Sequence, residues 1–274
     1  MSARLRGVAQ ETERIVAAGV YRAPGGHEVS LTAEIGAARA GTRMHGPGPV
    51  SVPDVPATTT RVEVTGESSL EAARRMPGSV AVLNFASARN PGGGFLNGAQ
   101  AQEEALCRAS ALYTCLLEAR EFYDHHRAHR DPFYTDRVIH SPAVPVFRDD
   151  HGRLLDEPFT AGFLTAAAPN AGVVTRTTPE RASELPRALS ARAERVLETA
   201  AAHGYRRLVL GAWGCGVFQN DPARVAAAFR ALLVPGGRFA GTFEHIVFGV
   251  LDRTPKAVVR AAFERAFPEP QLQP

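Results

Sequence analysis

The chain has 274 residues, of which 45% are hydrophobic, and its 31 lysine and arginine residues against 28 acidic residues give a net charge of +3. This length and apolar content suit one α/β domain with a large core. So small a charge excludes a protein that coats nucleic acid, but it leaves open a local basic pocket for an anionic ligand. We therefore expect no direct nucleic-acid partner.

The three cysteines, Cys107, Cys115 and Cys215, are widely spaced and form neither a disulfide framework nor a CxxC metal motif. No apolar run approaches the roughly 18 residues that a membrane span needs. The first residues lead into a polar helix rather than a signal-peptide core. From these features we expect a cytoplasmic protein that does not bind membranes. Separately, we expect a monomer.

In the first half of the chain, hydrophobic periodicity and turn residues predict three helices, three strands and one Pro-rich surface connection. In chain order these are a helix over 5–18, a strand over 29–31, the connection over 46–56, a strand over 61–64, a short helix over 68–75, a buried strand over 80–85 and a long helix over 102–120.

In the second half, strands and helices alternate. The predicted strands are 138–139, 144–147, 159–166, 208–210 and 246–251, and the predicted helices are 183–203, 222–233 and 255–267. Such alternation is typical of a largely parallel sheet with helices on both faces.

A glycine-rich turn, Pro91 to Gly94, follows the predicted strand 80–85, and after seven further residues come Gln102, Glu103 and Glu104. Glycines let the backbone approach a ligand closely. In open α/β sheets, ligands bind at the carboxyl ends of the strands. The combination indicates a site that holds phosphate and acts on a sugar bond.

The two adjacent glutamates also have a simpler interpretation as surface charge favoured by the helix dipole. Neighbouring side chains on a helix point about 100° apart, so both serve one ligand only where the helix begins at a pocket. A general acid needs a raised pKa, which burial and a second carboxylate provide and a helix N-terminus opposes. The sequence leaves the balance open.

A second glycine loop, 211–220, follows the predicted strand 208–210, and Asp221 and Pro222 suit the start of the next helix. Amide groups at such a turn favour phosphate. A loop that merely turns the chain is the alternative, but two such loops at two strand ends favour a shared anionic ligand. We interpret Cys215 as a small side chain in a crowded turn rather than as a nucleophile.

His125, His126 and His129 include an i, i+4 pair that suits a metal. The segment 121–131 is polar and lacks the glutamate of a HExxH helix. We therefore assign it to a solvated face and expect neither a metal nor a cofactor.

The residues from Asn84 to Ser87, from Asn90 to Gly94 and from Gln102 to Glu104 resemble the signature of poly(ADP-ribose) glycohydrolases, in which Gln-Glu-Glu follows three glycines after six to eight residues. The loop 211–220 and the N-terminal helix, with Glu11, Thr12 and Ile15, are similar to the short microbial-type branch. The resemblance implies a macrodomain-like α/β fold of three layers, a mixed, largely parallel sheet between helices. It also implies a single catalytic domain over 1–274 with an N-terminal helical extension.

By the same resemblance, Glu104 is the acid that protonates the leaving 2′ oxygen of the ribose-ribose bond and then activates water. Glu103 binds the hydroxyls of the scissile ribose, and Gln102 supports the pair. The implied substrate-binding positions are Asn84 or Asn90 at a ribose hydroxyl, Gly92, Gly93 and Gly94 around the distal ribose and diphosphate, and Gly214, Cys215, Gly216, Val217 and Phe218 on the opposite side.

The implied activity is metal-independent hydrolysis of poly(ADP-ribose), mainly from chain ends, because no counterpart of the tyrosine-bearing clasp of the larger animal enzymes is evident. ADP-ribosylated proteins would be its partners, in the DNA damage response. One alternative is an ADP-ribose reader without turnover, which needs the glycine loops but not the acidic pair. Another is a hydrolase of mono-ADP-ribose on proteins.

Overall fold

The computed structural model describes residues 2–268. A short antiparallel ribbon consists of β1 (Val20–Arg22) and β2 (Glu28–Ser30). Within the described residues, seven further strands form the central sheet: β3 (Arg43–His45), β4 (Arg61–Thr65), β5 (Ala81–Phe85), β6 (Val138–Arg148), β7 (Leu154–Ala166), β8 (Arg207–Gly211) and β9 (His245–Gly249). Their order across the sheet is β3-β6-β7-β5-β8-β9-β4.

Five neighbouring strands of this sheet, from β7 through β5, β8 and β9 to β4, run parallel. Strand β6 is antiparallel to both β3 and β7. The carboxyl ends of the five parallel strands therefore lie at one edge of the sheet, and β6 begins at that edge. The mixed, largely parallel sheet expected from the sequence is confirmed.

Helices cover both faces of the sheet. In the described part they are α1 (Ala3–Ala18), α2 (Thr32–Gly41), α3 (Ser69–Arg75), α4 (Gln102–Ala109), α5 (Leu112–Leu116), α6 (Arg120–Ala128), α7 (Ala171–Thr177), α8 (Leu185–Ala202), α9 (Pro222–Leu233) and α10 (Val258–Ala266). Short 3₁₀ turns lie at Phe95–Asn97, Leu117–Ala119, Pro179–Glu184 and Pro255–Ala257.

Strand β5 lies between two hydrophobic clusters, so the sheet is the middle layer between two layers of helices. Val82 faces the cluster that includes residues of α1 to α6, whereas Ala81 and Leu83 face the cluster that includes residues of α8, α9 and α10. All three side chains are fully buried. Because side chains alternate along a strand, a continuous apolar run is what a strand covered on both faces requires.

The single long helix predicted over 102–120 is wrong, because the chain breaks at Ser110. This residue is extended, with φ −146° and ψ 177°, and its hydroxyl donates to the Leu106 carbonyl at 2.7 Å. The next amide, that of Ala111, donates to the carbonyl of Pro145 in β6 at 3.1 Å. The break thus exchanges helical hydrogen bonds for a contact with the sheet.

The two strands predicted at 138–139 and 144–147 are one strand, β6, with a register shift between Ser141 and Val144. Ala143 has φ 43° at this irregularity, as a β-bulge produces. The predicted helix over 222–233 is confirmed to the residue, with the Asp221 side chain accepting from the Ala223 amide at 2.9 Å. Among residues 2–268, no helix has the length and apolar character for a membrane span.

Candidate active site

The first glycine turn leaves the carboxyl end of β5 and returns to the start of α4. Gly92 and Gly93 have φ 65° and 58°, a left-handed conformation that favours glycine. The Gly93 amide donates to the Asn90 carbonyl at 2.9 Å, and the Phe95 amide donates to the Gly92 carbonyl at 3.0 Å. These bonds fold the turn back over the first residues of α4.

Both glutamates lie beneath this turn, with Glu103 2% exposed and Glu104 8% exposed. The Gly94 amide donates to Oε1 of Glu104 at 2.9 Å, and the Ser87 amide donates to Oε2 of Glu103 at 2.7 Å. A Cβ on Gly93 would overlap Oε1 of Glu104 and lie 3.2 Å from Oε2 of Glu103. The two carboxyl groups therefore converge on one backbone position, although they are neighbours on a helix.

The two glutamates differ in how they are held. Burial raises the pKa of Glu103 to about 8, and the hydrogen bonds from Ser87 and Asn84 oppose this while the charge of Glu104 adds to it. Burial therefore favours the protonated form of Glu103. The family resemblance assigns the acid role to the neighbouring Glu104. Both oxygens of Glu103 already have protein donors, Asn84 for Oε1 and Ser87 for Oε2, which suits a positioning role.

Gln102 fixes the start of α4 to the end of β5. Its Oε1 accepts from the Phe85 amide at 2.9 Å, and its Nε2 donates to the Leu83 carbonyl at 2.8 Å and to the Ser69 hydroxyl at 3.1 Å. An amide side chain is suited to this because it donates and accepts at once. Gln102 therefore orients the helix that carries both glutamates.

The two candidate asparagines have different surroundings. Asn84 is fully buried, and its Nδ2 donates to Oε1 of Glu103 at 3.2 Å and to the Thr165 hydroxyl at 3.1 Å. Its Oδ1 is buried with no partner in the described part of the chain. Asn90 is exposed and contributes its backbone to the turn. The side chain next to the carboxyl pair is thus that of Asn84.

The second glycine loop follows β8, which is paired with β5. Gly214 has φ 71°, and a Cβ there would lie 2.5 Å from the Ala168 Cβ and 2.6 Å from Nδ2 of Asn220. Gly216 lies outside the left-handed region, and its Cβ would face open space. In this loop the requirement for glycine therefore falls on Gly214.

The remaining side chains of this loop point in different directions. Val217 is 81% exposed, and Phe218 lies beside Tyr134 with ring centroids 5.7 Å apart. Burial raises the pKa of Cys215 to about 12, which keeps it a neutral thiol at physiological pH. Because the thiolate is the nucleophile, this favours a packing role for Cys215.

Two further residues, neither of them predicted to bind the ligand, hold the second loop in place. Nδ2 of Asn220 donates to the Pro169 carbonyl at 2.8 Å and to the Gly214 carbonyl at 3.1 Å. Nε1 of Trp213 donates to the Ala166 carbonyl at 2.9 Å. Their partners lie more than 40 residues earlier in the chain or across a turn, so no local spacing could identify them.

A cavity of about 670 Å³ adjoins the start of α4 and the second loop at the carboxyl ends of β5, β8 and β9, and this volume suits a small-molecule site. Its lining includes Phe85, Gln102, Cys215, Gly216 and Val250. The two glutamates are not part of this lining, because they lie under the first turn. The cavity is therefore a neighbour of the carboxyl pair.

Helix α1 braces the first turn and α4 from outside. The Ser2 amide donates to the Gly98 carbonyl at 3.0 Å. The Thr12 hydroxyl donates to the Arg108 carbonyl at 2.7 Å and accepts from Nε of Arg148 at 3.1 Å. The helix thus touches both ends of the segment that carries the glutamates.

The assignment of the histidine segment to a solvated face is wrong for His126, which is 1% exposed. Its Nε2 lies 2.8 Å from the Thr135 hydroxyl, and burial lowers its pKa to about 4. The rings of His125 and His129 stack with centroids 4.1 Å apart. No group of three His, Cys, Asp or Glu side chains suited to a metal is found in residues 2–268, and metal independence stays a prediction.

Comparison with known proteins agrees with this geometry. The family described as microbial-type PARG, catalytic domain, matches residues 9–149. Poly(ADP-ribose) glycohydrolase from Thermomonospora curvata is 48% identical with a TM-score of 0.91, over 97% of this chain and 100% of that one. The same enzyme bound to the inhibitor ADP-HPD gives 48% identity and a TM-score of 0.88 over the same shares.

Poly(ADP-ribose) glycohydrolase from Deinococcus radiodurans, in complex with ADP-ribose, is 46% identical with a TM-score of 0.79, over 87% of this chain and 98% of that one. No curated protein matches the chain. The matched segment 9–149 contains the first glycine turn and both glutamates, and the structural likeness extends over nearly the whole chain. The chain therefore belongs to the microbial-type poly(ADP-ribose) glycohydrolase family.

Proposed function

We propose that this protein hydrolyses the ribose-ribose O-glycosidic bonds of poly(ADP-ribose), mainly from chain ends, and releases ADP-ribose. The observation that carries the proposal is the convergence of two buried carboxyl groups on Gly93, beneath a glycine turn at the carboxyl edge of the sheet. Its family and its likeness to glycohydrolases bound to ADP-HPD and to ADP-ribose support the same substrate class.

Glu104 performs the proton transfers in this mechanism. Its carboxyl proton passes to the 2′ oxygen as the bond from that oxygen to the anomeric carbon breaks, and an oxocarbenium-like centre forms. The resulting carboxylate then takes a proton from water, whose oxygen attacks the anomeric carbon. A positioned acid of this kind contributes about 10²- to 10⁴-fold to the rate.

Glu103 orients the scissile ribose rather than transferring the proton. It is anchored by Asn84 and Ser87, so its carboxyl group has a fixed place for ribose hydroxyls. A single proton-transferring carboxyl differs from the usual pair of carboxyl groups that flank a glycosidic bond. Adjacent residues of one helix cannot readily occupy both faces of a sugar, which is consistent with this division of roles.

The two glycine loops hold the rest of the ADP-ribose unit. Gly92 to Gly94 surround the distal ribose and diphosphate, and the backbone from Gly214 to Val217 approaches the diphosphate from the other side, with Phe218 against the ribose. The cavity beside Gln102 and Gly216 has the volume for the nucleotide part. The enclosed carboxyl pair suits a terminal unit better than the middle of a polymer.

Release of ADP-ribose from labelled poly(ADP-ribose) by the purified protein tests the proposal, with Glu104→Gln as the matched control. Free ADP-ribose from the wild type and none from the variant is the expected result. Binding of the polymer without release would identify a reader. Release from mono-ADP-ribosylated protein but not from polymer would identify the mono-ADP-ribosyl hydrolase, and oligomeric first products would contradict attack from chain ends.

The wider setting follows from the same activity. We propose that the protein acts on ADP-ribosylated proteins in the DNA damage response. We also propose that it is a monomer and that it works in the cytoplasm. That residues 1–274 form one catalytic domain with an N-terminal helical extension stays a prediction, and residues 1 and 269–274 lie outside the described part. Size-exclusion chromatography with light scattering tests the monomer directly.

A further inference from the structure

Two non-glycine residues with left-handed backbones, one of them in the second glycine loop, belong to or adjoin one aromatic pair. Tyr134 and Gln219 both have φ 57°, which is an outlier for a bulky aromatic residue. Gln219 directly follows Phe218, whose ring lies 5.7 Å from that of Tyr134 at an interplanar angle of 45°. One unfavourable backbone conformation thus belongs to a member of the aromatic pair, and the other directly follows its second member.

The pair lies at the edge of the sheet where the glycine loops are. Tyr134 precedes β6, which begins at this edge because it is antiparallel to β7. Phe218 follows β8, which ends there because it is parallel to β5. The aromatic pair therefore belongs to the same group of loops as the carboxyl pair, although Tyr134 lies far from it in sequence.

Hydrogen bonds within its own loop and from α7 hold the backbone around Tyr134. Its amide donates to the Asp131 carbonyl at 3.1 Å, and the Asn170 amide at the start of α7 donates to the Pro132 carbonyl at 2.8 Å. The same helix start holds the backbone of Phe218, because the Gly172 amide donates to the Phe218 carbonyl at 3.0 Å. Strain of this kind persists only where the surrounding structure enforces it, and such sites are often functional.

We propose that Tyr134 is a positioning residue that fixes the ring of Phe218 against the ribose of the substrate. The inference rests on the proposed glycohydrolase activity and adds to it a residue that acts through Phe218 rather than on the reacting atoms. Aromatic rings packed at this separation favour a defined mutual orientation. A ring held in this way keeps the ribose aligned with the glutamates, and alignment governs the rate of the chemical step.

Steady-state kinetics on poly(ADP-ribose) and ADP-ribose calorimetry test the proposal with Tyr134→Leu, Tyr134→Phe and Phe218→Leu. The Leu variant at Tyr134 keeps a Cβ and loses the ring, so kcat should fall about tenfold while ADP-ribose affinity changes little. The Phe variant should restore kcat. Because Tyr134 acts through Phe218, the double variant Tyr134→Leu, Phe218→Leu should be no slower than Phe218→Leu alone.

Two glycine variants separate positioning from stability. Tyr134→Gly relieves the left-handed strain, so it should remain folded and yet be as slow as Tyr134→Leu. Lys256→Gly is the matched control, since Lys256 also has a left-handed backbone, with φ 66°; it should keep wild-type kcat. A kcat within twofold of wild type in folded Tyr134→Leu, equal losses in the Phe and Leu variants, or additive losses in the double variant would overturn the proposal. No release of ADP-ribose by the wild type would instead refute the glycohydrolase activity.

Discussion

Replacement of Gly93 by alanine tests the convergence of the two glutamates most directly. The new Cβ would overlap Oε1 of Glu104, and the carboxyl group of Glu103 closes the space on the other side. Glu104 must therefore move, or the turn must open. Either change displaces the proposed acid and weakens the bond that the Gly94 amide donates to it.

The size of the effect follows from the geometry. Ordinary contact requires Oε1 of Glu104 to retreat by about 1 Å, and a misplacement of about 1 Å can cost about 100-fold in rate. The left-handed backbone at Gly93 adds a stability cost of about 1–2 kcal/mol for alanine, which lowers Tm by a few degrees. We expect a folded protein with turnover about 100-fold below that of the wild type.

Single-turnover release of ADP-ribose from poly(ADP-ribose), together with thermal unfolding, measures both effects. Gly204→Ala is the matched control, because Gly204 has φ 74° and its Cβ would meet nothing within 4 Å. This control should show the loss of stability alone. If folded Gly93→Ala turns over within threefold of Gly204→Ala, the carboxyl group of Glu104 does not need its present place.

Glu104→Gln should keep ADP-ribose affinity by calorimetry and lose about 10²- to 10⁴-fold in turnover; near wild-type turnover would contradict the acid assignment. Burial raises the pKa of Glu103 from 4.5 to about 8, so between these pH values the folded state holds a proton that the unfolded state loses. The free energy of unfolding of the wild type should therefore fall from pH 5 to 8 relative to that of Glu103→Gln. Parallel stability curves would show an ionised Glu103. Gly216→Val should weaken ADP-ribose binding, because the new side chain fills the open space beside the backbone; tight binding would contradict a diphosphate contact at this loop. Cys215→Ser should keep its activity, and an inactive variant would identify the thiol as a nucleophile. EDTA should leave activity intact, and a loss restored by one divalent ion would refute a metal-independent mechanism.

Much of the fold could be predicted because its signals are local. The apolar runs of β5 and β8, the glycines after each strand and the Asp221-Pro222 start of α9 are all readable within a few residues. Helix α2, by contrast, was missed, since its sequence contains glycine and many alanines and only Ile35 and Ala38 are buried.

The remaining errors come from partners that are distant in sequence. The break at Ser110 depends on a carbonyl at Pro145, and the burial of His126 depends on neighbours such as Thr135 and Tyr134. The positions of the two glutamates could be predicted from their spacing to the glycines. The raised pKa of Glu103 could not, because it requires the burial that the whole fold provides.

The contacts of helix α1 also determine when the active site can form during synthesis. Thr12 is separated by 96 residues from Arg108 and by 136 from Arg148, so a growing chain contains α1 without the first partner until α4 has been made and without the second until β6 has been made. Contacts of such long sequence separation form late, because closing the intervening loop costs entropy first. A nascent chain that ends before Arg148 therefore contains the complete motif from Gly92 to Glu104 but lacks the bond by which Arg148 joins Thr12 to β6.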